Sequence, residues 1–241
     1  MPDTSAPPAI HAELALHVDP SVTAELPHFK AYGVRVRGLA AVDRAQAAYP
    51  FADRTYATLM SFDYERLAED PRIKVWRDAY RRMGLKASEF RSSIEQLVRR
   101  SLGDNMLNTP VPIVDLYNRA SISFAVPMGG YDMSALPPHP ISVRAVADGD
   151  YFAPLGGAPE NFPLSPGVLA YACGREILCW ALNHRDSRLT ALRAETDDAL
   201  FVTEAVDPRG AEASREALAE LAGCLATLGA HAGEVVEFAM A

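Results

Sequence analysis

Nowhere in this chain of 241 residues is there an unbroken apolar run of the ~18 residues that a membrane-spanning helix needs. Its first twenty residues, MPDTSAPPAIHAELALHVDP, lack the basic start and continuous apolar stretch of a secretory signal. No membrane partner is expected, and the expected location is the cytoplasm. Cysteine is scarce: Cys173, Cys179 and Cys224 are an odd set without paired metal-ligand spacing, which argues against a disulfide scaffold and fits buried, reduced thiols. His11, His17, His28, His139, His184 and His231 are scattered and show no zinc spacing. The phosphate-binding, dinucleotide, zinc-protease and nucleophile-elbow patterns GxxxxGK[ST], GxGxxG, HExxH and GxSxG are all missing. Positive charge is in deficit, with a net charge of −8, which disfavours a general nucleic-acid binder and gives no reason to expect DNA as a partner.

The deficit is uneven. Nine Lys/Arg between Arg72 and Arg100 face only Asp78, Glu89 and Glu95, so this segment carries +6 and the remainder −14. A basic face on an acidic protein suits a partner such as tRNA that touches one side, and it also suits an ordinary solvated helix surface. Arg81, Arg82, Lys86, Arg91 and Ser92 are the candidate tRNA contacts; the last two open a helix, whose N-terminus attracts anions, although Ser92 can equally serve local hydrogen bonding.

The length allows one sizeable core. Residues 1–12, rich in Pro, Ala and Ser, are expected to be disordered, and 13–241 to form a single domain. Alternation predicts a strand over Phe29–Leu39; Ile141–Ala147 and Ala199–Ala205 also read as strands, and Gly167–Ala172 with Glu176–Asn183 as a hairpin. Helical spacing predicts helices in the later part of Asp63–Met83, from about Ser88 or Glu89 to Leu102, over Ile113–Val126 and over Ala211–Leu228, with a short one possible over Asp43–Phe51. Glu234–Met240 reads as a closing strand or tail. Helices early and late around a strand-rich middle predict an α+β fold with mixed sheets and flanking helices.

The densest stretch is Thr109–Leu136, TPVPIVDLYNRASISFAVPMGGYDMSAL. Polar groups inside an apolar run cost free energy unless paired, so they mark a structural network or a site. Asp115 and Asn118 lie three apart on one helical face, either positioning a substrate or satisfying neighbouring backbone. Gly129 and Gly130 read as a turn that either lets backbone N–H groups approach a ligand closely or simply bends the chain. Asp132, just after it, is a cap or a pocket residue. Farther on, Asn183, Arg185 and Ser187 alternate as on a strand and would share a face, which is a site or a plain polar surface. His184, on the opposite parity, is expected to face solvent.

Four pieces in order, FRSSIEQLVRR (Phe90–Arg100), LNTPVPIVDLYNRASISFAVPMGGYDMSAL (Leu107–Leu136), ISVRAVADGDYFAPLGG (Ile141–Gly157) and CWALNHRDSRLTALRAETDDALF (Cys179–Phe201), resemble the B3/B4 domain of the bacterial phenylalanyl-tRNA synthetase beta subunit. They resemble freestanding members of that family more closely still, and the resemblance covers about 76–204. It implies a strand-rich α+β fold, no metal or organic cofactor, and editing chemistry: hydrolysis of the ester joining a wrong amino acid to the tRNA 3′ end.

The chain also departs from the synthetase pattern. The family's pocket histidine falls on Gly129, its Gly-Val-Met-Gly-Gly segment on Asn183–Ser187, and its tyrosine-reading glutamate near Val202, with Glu204 two residues on. Tyrosine specificity is therefore not implied. The resulting expectation is a trans-editing aminoacyl-tRNA deacylase, a hydrolase acting on mischarged tRNA. Its catalytic groups would be Gly129, Gly130 and Asn183, and its substrate contacts Arg185, Ser187, Asp132, Asn118 and Asp115. A non-catalytic tRNA- or amino-acid-binding module is the alternative, and a hydrolase of free amino-acid derivatives a third.

Overall fold

The computed structural model describes residues 15–42, 46–48, 50–103, 109–156 and 162–241; the expected disorder of 1–12 lies outside them. Side chains satisfy free backbone N–H groups at the start of four of the six α-helices it describes. The six are α1 (Pro20–Glu25), α2 (Ala52–Met60), α3 (Pro71–Arg82), α4 (Ser93–Leu102), α5 (Pro112–Phe124) and α6 (Pro208–Thr227). The carboxylates of Asp19, Asp70 and Asp207 cap α1, α3 and α6, each with proline in the first turn. The Ser92 hydroxyl caps α4 by accepting from the Glu95 N–H at 3.3 Å. This Ser-x-x-Glu pattern places the start of α4 at Ser93, four or five residues after the predicted one. Helix α2 was not anticipated. Within Asp43–Phe51, Gln46–Ala48 is a single 3-10 turn, and 43–45 and 49 lie outside the described residues.

The strands are β1 (Leu16–Val18), β2 (Lys30–Arg37), β3 (Met128–Asp132), β4 (Ile141–Ala145), β5 (Leu169–Cys173), β6 (Glu176–Trp180), β7 (Arg185–Asp186), β8 (Asp198–Ala205), β9 (His231–Ala232), β10 (Val236–Glu237) and β11 (Ala239–Met240). Among the described residues they form two sheets. One runs β11-β1-β4-β5-β6-β7, with β1 parallel to both β4 and β11. The other runs β10-β2-β8-β3, with β9 also on β2, and its pairings are antiparallel. The fold is α+β, as predicted. The closing segment divides its two short strands between the sheets, β10 on β2 and β11 on β1, with Phe238 buried between them.

Apolar side chains fill the space between the sheets. Leu16, Val143 and Tyr171 meet Tyr131, Leu200 and Val202 there, joined by Trp76 of α3 and Leu97 of α4. The opposite face of the β8 sheet packs Val34, Val36 and Phe201 on Leu116 of α5 and Leu218 and Leu221 of α6. Strand β8 is covered on both faces, hence its nearly continuous apolar sequence.

Two readings of the sequence are overturned. Gly129 and Gly130 lie in β3, paired with Val202 and Phe201 of β8, and are not a turn. They therefore point to opposite faces. A Cβ on Gly130 would stand 2.8 Å from Leu192 Cδ1, on the helix-covered side, whereas Gly129 lies on the Val202 side, between the sheets. The hairpin strand expected to reach Asn183 stops at Trp180, because Ala181 (φ 52°) and Leu182 (φ 59°) are both left-handed. Each such residue without glycine costs about 1–2 kcal/mol, and the Leu182 N–H to Leu169 carbonyl bond (2.9 Å) holds the reversal in place.

Helices α3 and α4 are joined through Glu95, which is fully buried. One carboxylate oxygen accepts from Arg77 of α3 at 2.7 Å and from Arg99 at 3.1 Å, with Arg91 at 3.8 Å. Replacing Glu95 by Ala strands partly buried guanidinium groups and should lower unfolding free energy by about 3 kcal/mol; urea titration of the two proteins checks this.

Candidate functional site

Glu204, near the end of β8, points into the space between the sheets and is 2% exposed. Tyr171 of β5 donates to its Oε2 at 2.7 Å, and the Asn183 amide nitrogen donates to its Oε1 at 2.6 Å. The Asn183 oxygen accepts from the Tyr80 hydroxyl at 3.0 Å and from the Ser93 N–H at 3.3 Å. A backbone N–H can only donate, so the amide orientation is fixed and its nitrogen must face Glu204. The two left-handed residues before Asn183 turn it inward. Asn183 thereby binds together α3, α4 and β8.

Beside this network lies a cavity of about 20 Å³, with room for one group the size of a water molecule. Its lining includes Ser93, Gly129, Tyr131, Asn183, Asp186 and Glu204. Burial pushes the Glu204 carboxyl up to about 7; the Asp186 charge adds to the rise, and the Tyr171 and Asn183 hydrogen bonds offset part of it. Burial likewise raises Asp186, against a hydrogen bond from the Cys179 thiol. A larger cavity of about 270 Å³ shares Glu204; Trp76, Phe124, Val126 and Pro127 line it, with Arg72 and Arg209 also present.

The predicted site residues are only partly brought together. Gly129 and Asn183 meet on the small cavity. Gly130 faces away from it for the reason given above. Arg185 is exposed, while Asn183 and Ser187 are buried, so the three do not share a face: the left-handed pair breaks the assumed alternation. The Ser187 hydroxyl accepts from the Leu189 N–H. Asp132 caps a 3-10 turn, accepting from the Ser134 N–H (2.9 Å) and hydroxyl (2.6 Å) and from Thr196 (2.7 Å). Burial alone would raise its pKa, but these bonds bring it below the usual carboxylate value. Asp115 accepts from the Thr109 N–H with both oxygens, at 2.8 and 3.0 Å, and so fastens the entry to α5. Asn118 is buried on the same helix, and neither residue lines the cavities just described. His184 is half-buried rather than facing solvent. Its ring packs against Phe90 at 5.1 Å and its Nδ1 meets the Arg91 backbone; burial lowers its pKa.

Seven of the nine basic side chains share four carboxylates, so the segment is paired but stays net positive. Arg72 pairs with Asp70, Lys74 and Arg81 with Asp78, Lys86 with Glu89, and Arg77, Arg91 and Arg99 with Glu95. Among the described residues, Arg82 and Arg100 have no carboxylate partner, and both are exposed. Ser92 is fully buried, with its hydroxyl committed to capping α4.

The described residues contain no group of three or more His, Cys, Asp or Glu placed to hold a metal ion, and no helix long and apolar enough to cross a membrane.

The B3/4 domain family matches residues 75–220, more than half of the 241. The chain belongs to this family. Among curated proteins none matches. A solved structure similar to it is an N-terminal fragment of the phenylalanyl-tRNA synthetase beta subunit from Pyrococcus horikoshii, at 14% identity and a TM-score of 0.46. The alignment covers 92% of this chain and 50% of the fragment, so the chain spans about half the fragment's length.

Tyr80, Tyr171, Asp186 and Glu204 had not been singled out as site residues from sequence. Glu204 carried two signals, a carboxylate inside the apolar run DALFVTEAV and the family's pocket glutamate falling two residues away. Its raised pKa has a consequence for stability. Unfolded, the group ionises near 4.5; folded, it keeps its proton to about 7. Between these values the folded state binds more protons, so its contribution to stability falls as pH rises and is fully lost above 7, a change of about 3 kcal/mol. Chemical denaturation across pH 4 to 8 should show a steeper fall in wild type than in Glu204→Gln, where the raised Asp186 still contributes.

Proposed function

We propose that the chain hydrolyses the ester bond between an amino acid and the 3′ end of tRNA, acting in trans on mischarged tRNA. The observation that carries this reading is the meeting of Gly129 and Asn183, far apart in sequence, at a polar cavity beside Glu204 in a B3/4 domain. An aminoacyl ester is already activated, so the protein need only hold the ester and a water in register, with donors where the oxyanion develops. Gly129 has no side chain between its backbone and the cavity. Asn183 is held rigidly by partners on three elements. The larger cavity next to Glu204 is close to the lower end of small-molecule pocket volumes and would take the bulk of the aminoacyl end. Arg81, Arg82, Lys86 and Arg91 supply exposed positive charge for the acceptor stem.

The small size of the inner cavity and the glycine at the family's histidine position favour a second reading, a module that binds charged tRNA without turning it over.

With protein in excess over a panel of mischarged tRNAs, at least one amino acid should be released, and Asn183→Ala, checked for a native thermal transition, should slow that release by about 10²-fold. Saturable tRNA binding with no release across the panel would establish the second reading instead. In either case Arg82→Ala should weaken tRNA binding and reduce the slope of log K against log salt by about 1, measured by filter binding.

A further inference from the structure

The charge balance of the inner cavity is one-sided. Two carboxyl groups, Glu204 and Asp186, line it, and no Lys, Arg or His does. Most titratable groups packed around them are neutral, and the buried Glu95 of α4, which acts on Tyr80, adds no positive charge. Tyr80 of α3, Tyr117 of α5, Tyr131 of β3, Tyr171 of β5 and Cys179 of β6 all have pKa values raised above their ordinary ones, chiefly by burial. Arg100 acts on Tyr117 but on neither carboxyl. A second observation is independent of the acids. The Ser93 hydroxyl oxygen is fully buried, has no hydrogen-bond partner, and belongs to a residue lining the same cavity. A buried polar atom left unsatisfied is uncommon and calls for an explanation.

Two carboxyls, and a residue whose hydroxyl has no partner, thus line a space that holds one water-sized group: Glu204, Asp186 and Ser93. An alkylammonium head is that size, carries the missing positive charge, and has three N–H donors. Asn183 cannot serve as a fourth acceptor, since its oxygen is already used by Tyr80 and Ser93. We propose that this cavity receives the α-ammonium group of the amino acid whose ester is cleaved, so that a free amine is the feature every substrate must have. The inference rests on the proposed hydrolysis and assigns the part of the substrate that the inner cavity reads. The side chain stays outside it and the ester carbonyl lies at its mouth beside Gly129 and Asn183, so discrimination among amino acids must come from other surfaces. Without the cation Glu204, whose pKa lies near 7, is partly protonated; the cation favours the ionised carboxylates, and protons leave to solvent.

The test uses the full chain and the amides of the twenty amino acids, which keep the amine and cannot be turned over as esters. At pH 7, calorimetry in two buffers of different ionisation enthalpy should show at least one amide binding with proton release. Its N-acetyl derivative should not bind. Asp186→Asn should weaken binding at least ~10-fold, as loss of a charge-assisted bond requires. Ser93→Ala removes a hydroxyl without a partner, so it should leave the thermal transition unchanged and weaken binding roughly 5–10-fold; it keeps the test decisive if Asp186→Asn does not fold. No binding by any amide, equal binding of the N-acetyl form, or full affinity in Ser93→Ala would overturn the proposal. The two readings fail separately. Deacylation that proceeds equally on N-acetylaminoacyl-tRNA refutes the ammonium site alone, whereas amine binding without any deacylation refutes the hydrolysis alone.

Discussion

The interior is organised around a single carboxamide. Asn183 uses both ends of its side chain: its oxygen takes hydrogen bonds from α3 and α4, and its nitrogen gives one to β8. Losing that group would leave a tyrosine hydroxyl, a backbone N–H and a carboxyl without partners in a dry interior, where each unpaired group is costly. The placement of α3 and α4 over the gap between the sheets, and the shape of the cavity there, both follow from this tie.

Holding Asn183 inward requires the backbone to reverse at Ala181 and Leu182, both fully buried. Neither residue type favours a left-handed conformation, so the reversal is imposed by tertiary structure: Leu182 is held by its bond to Leu169 and by packing between the sheets. Local sequence carries no sign of it. This is why the strand reading held along Glu176–Trp180 and period-two reasoning failed beyond, where it placed Asn183, Arg185 and Ser187 on one surface.

The longer elements were legible because one physical pattern dominates each. Strand β2 alternates, α6 repeats its apolar residues at helical spacing, and β8 is apolar almost throughout because both its faces are covered. The glycine pair was misread because the residues that favour turns also permit close packing; Leu192 against Gly130 decided for the strand. The family resemblance directed attention to Gly129 and Asn183. It was silent on Tyr80, Tyr171 and Asp186, whose importance comes from contacts between residues far apart in the chain. The basic segment was legible as composition and misleading as a surface, because three of its arginines surround the buried Glu95 and most of the others pair with nearby carboxylates.

Cys179 lies against Asp186 in this interior, and burial together with that neighbouring carboxylate holds its thiol well above the usual ionisation range. Only the thiolate reacts readily with electrophiles and oxidants. The sulfur is therefore chemically silent while the domain is closed, and it acquires ordinary reactivity only when the two sheets part. The rate at which an alkylating reagent modifies it is thus an intrinsic clock for the opening of this domain, one that runs without any added label.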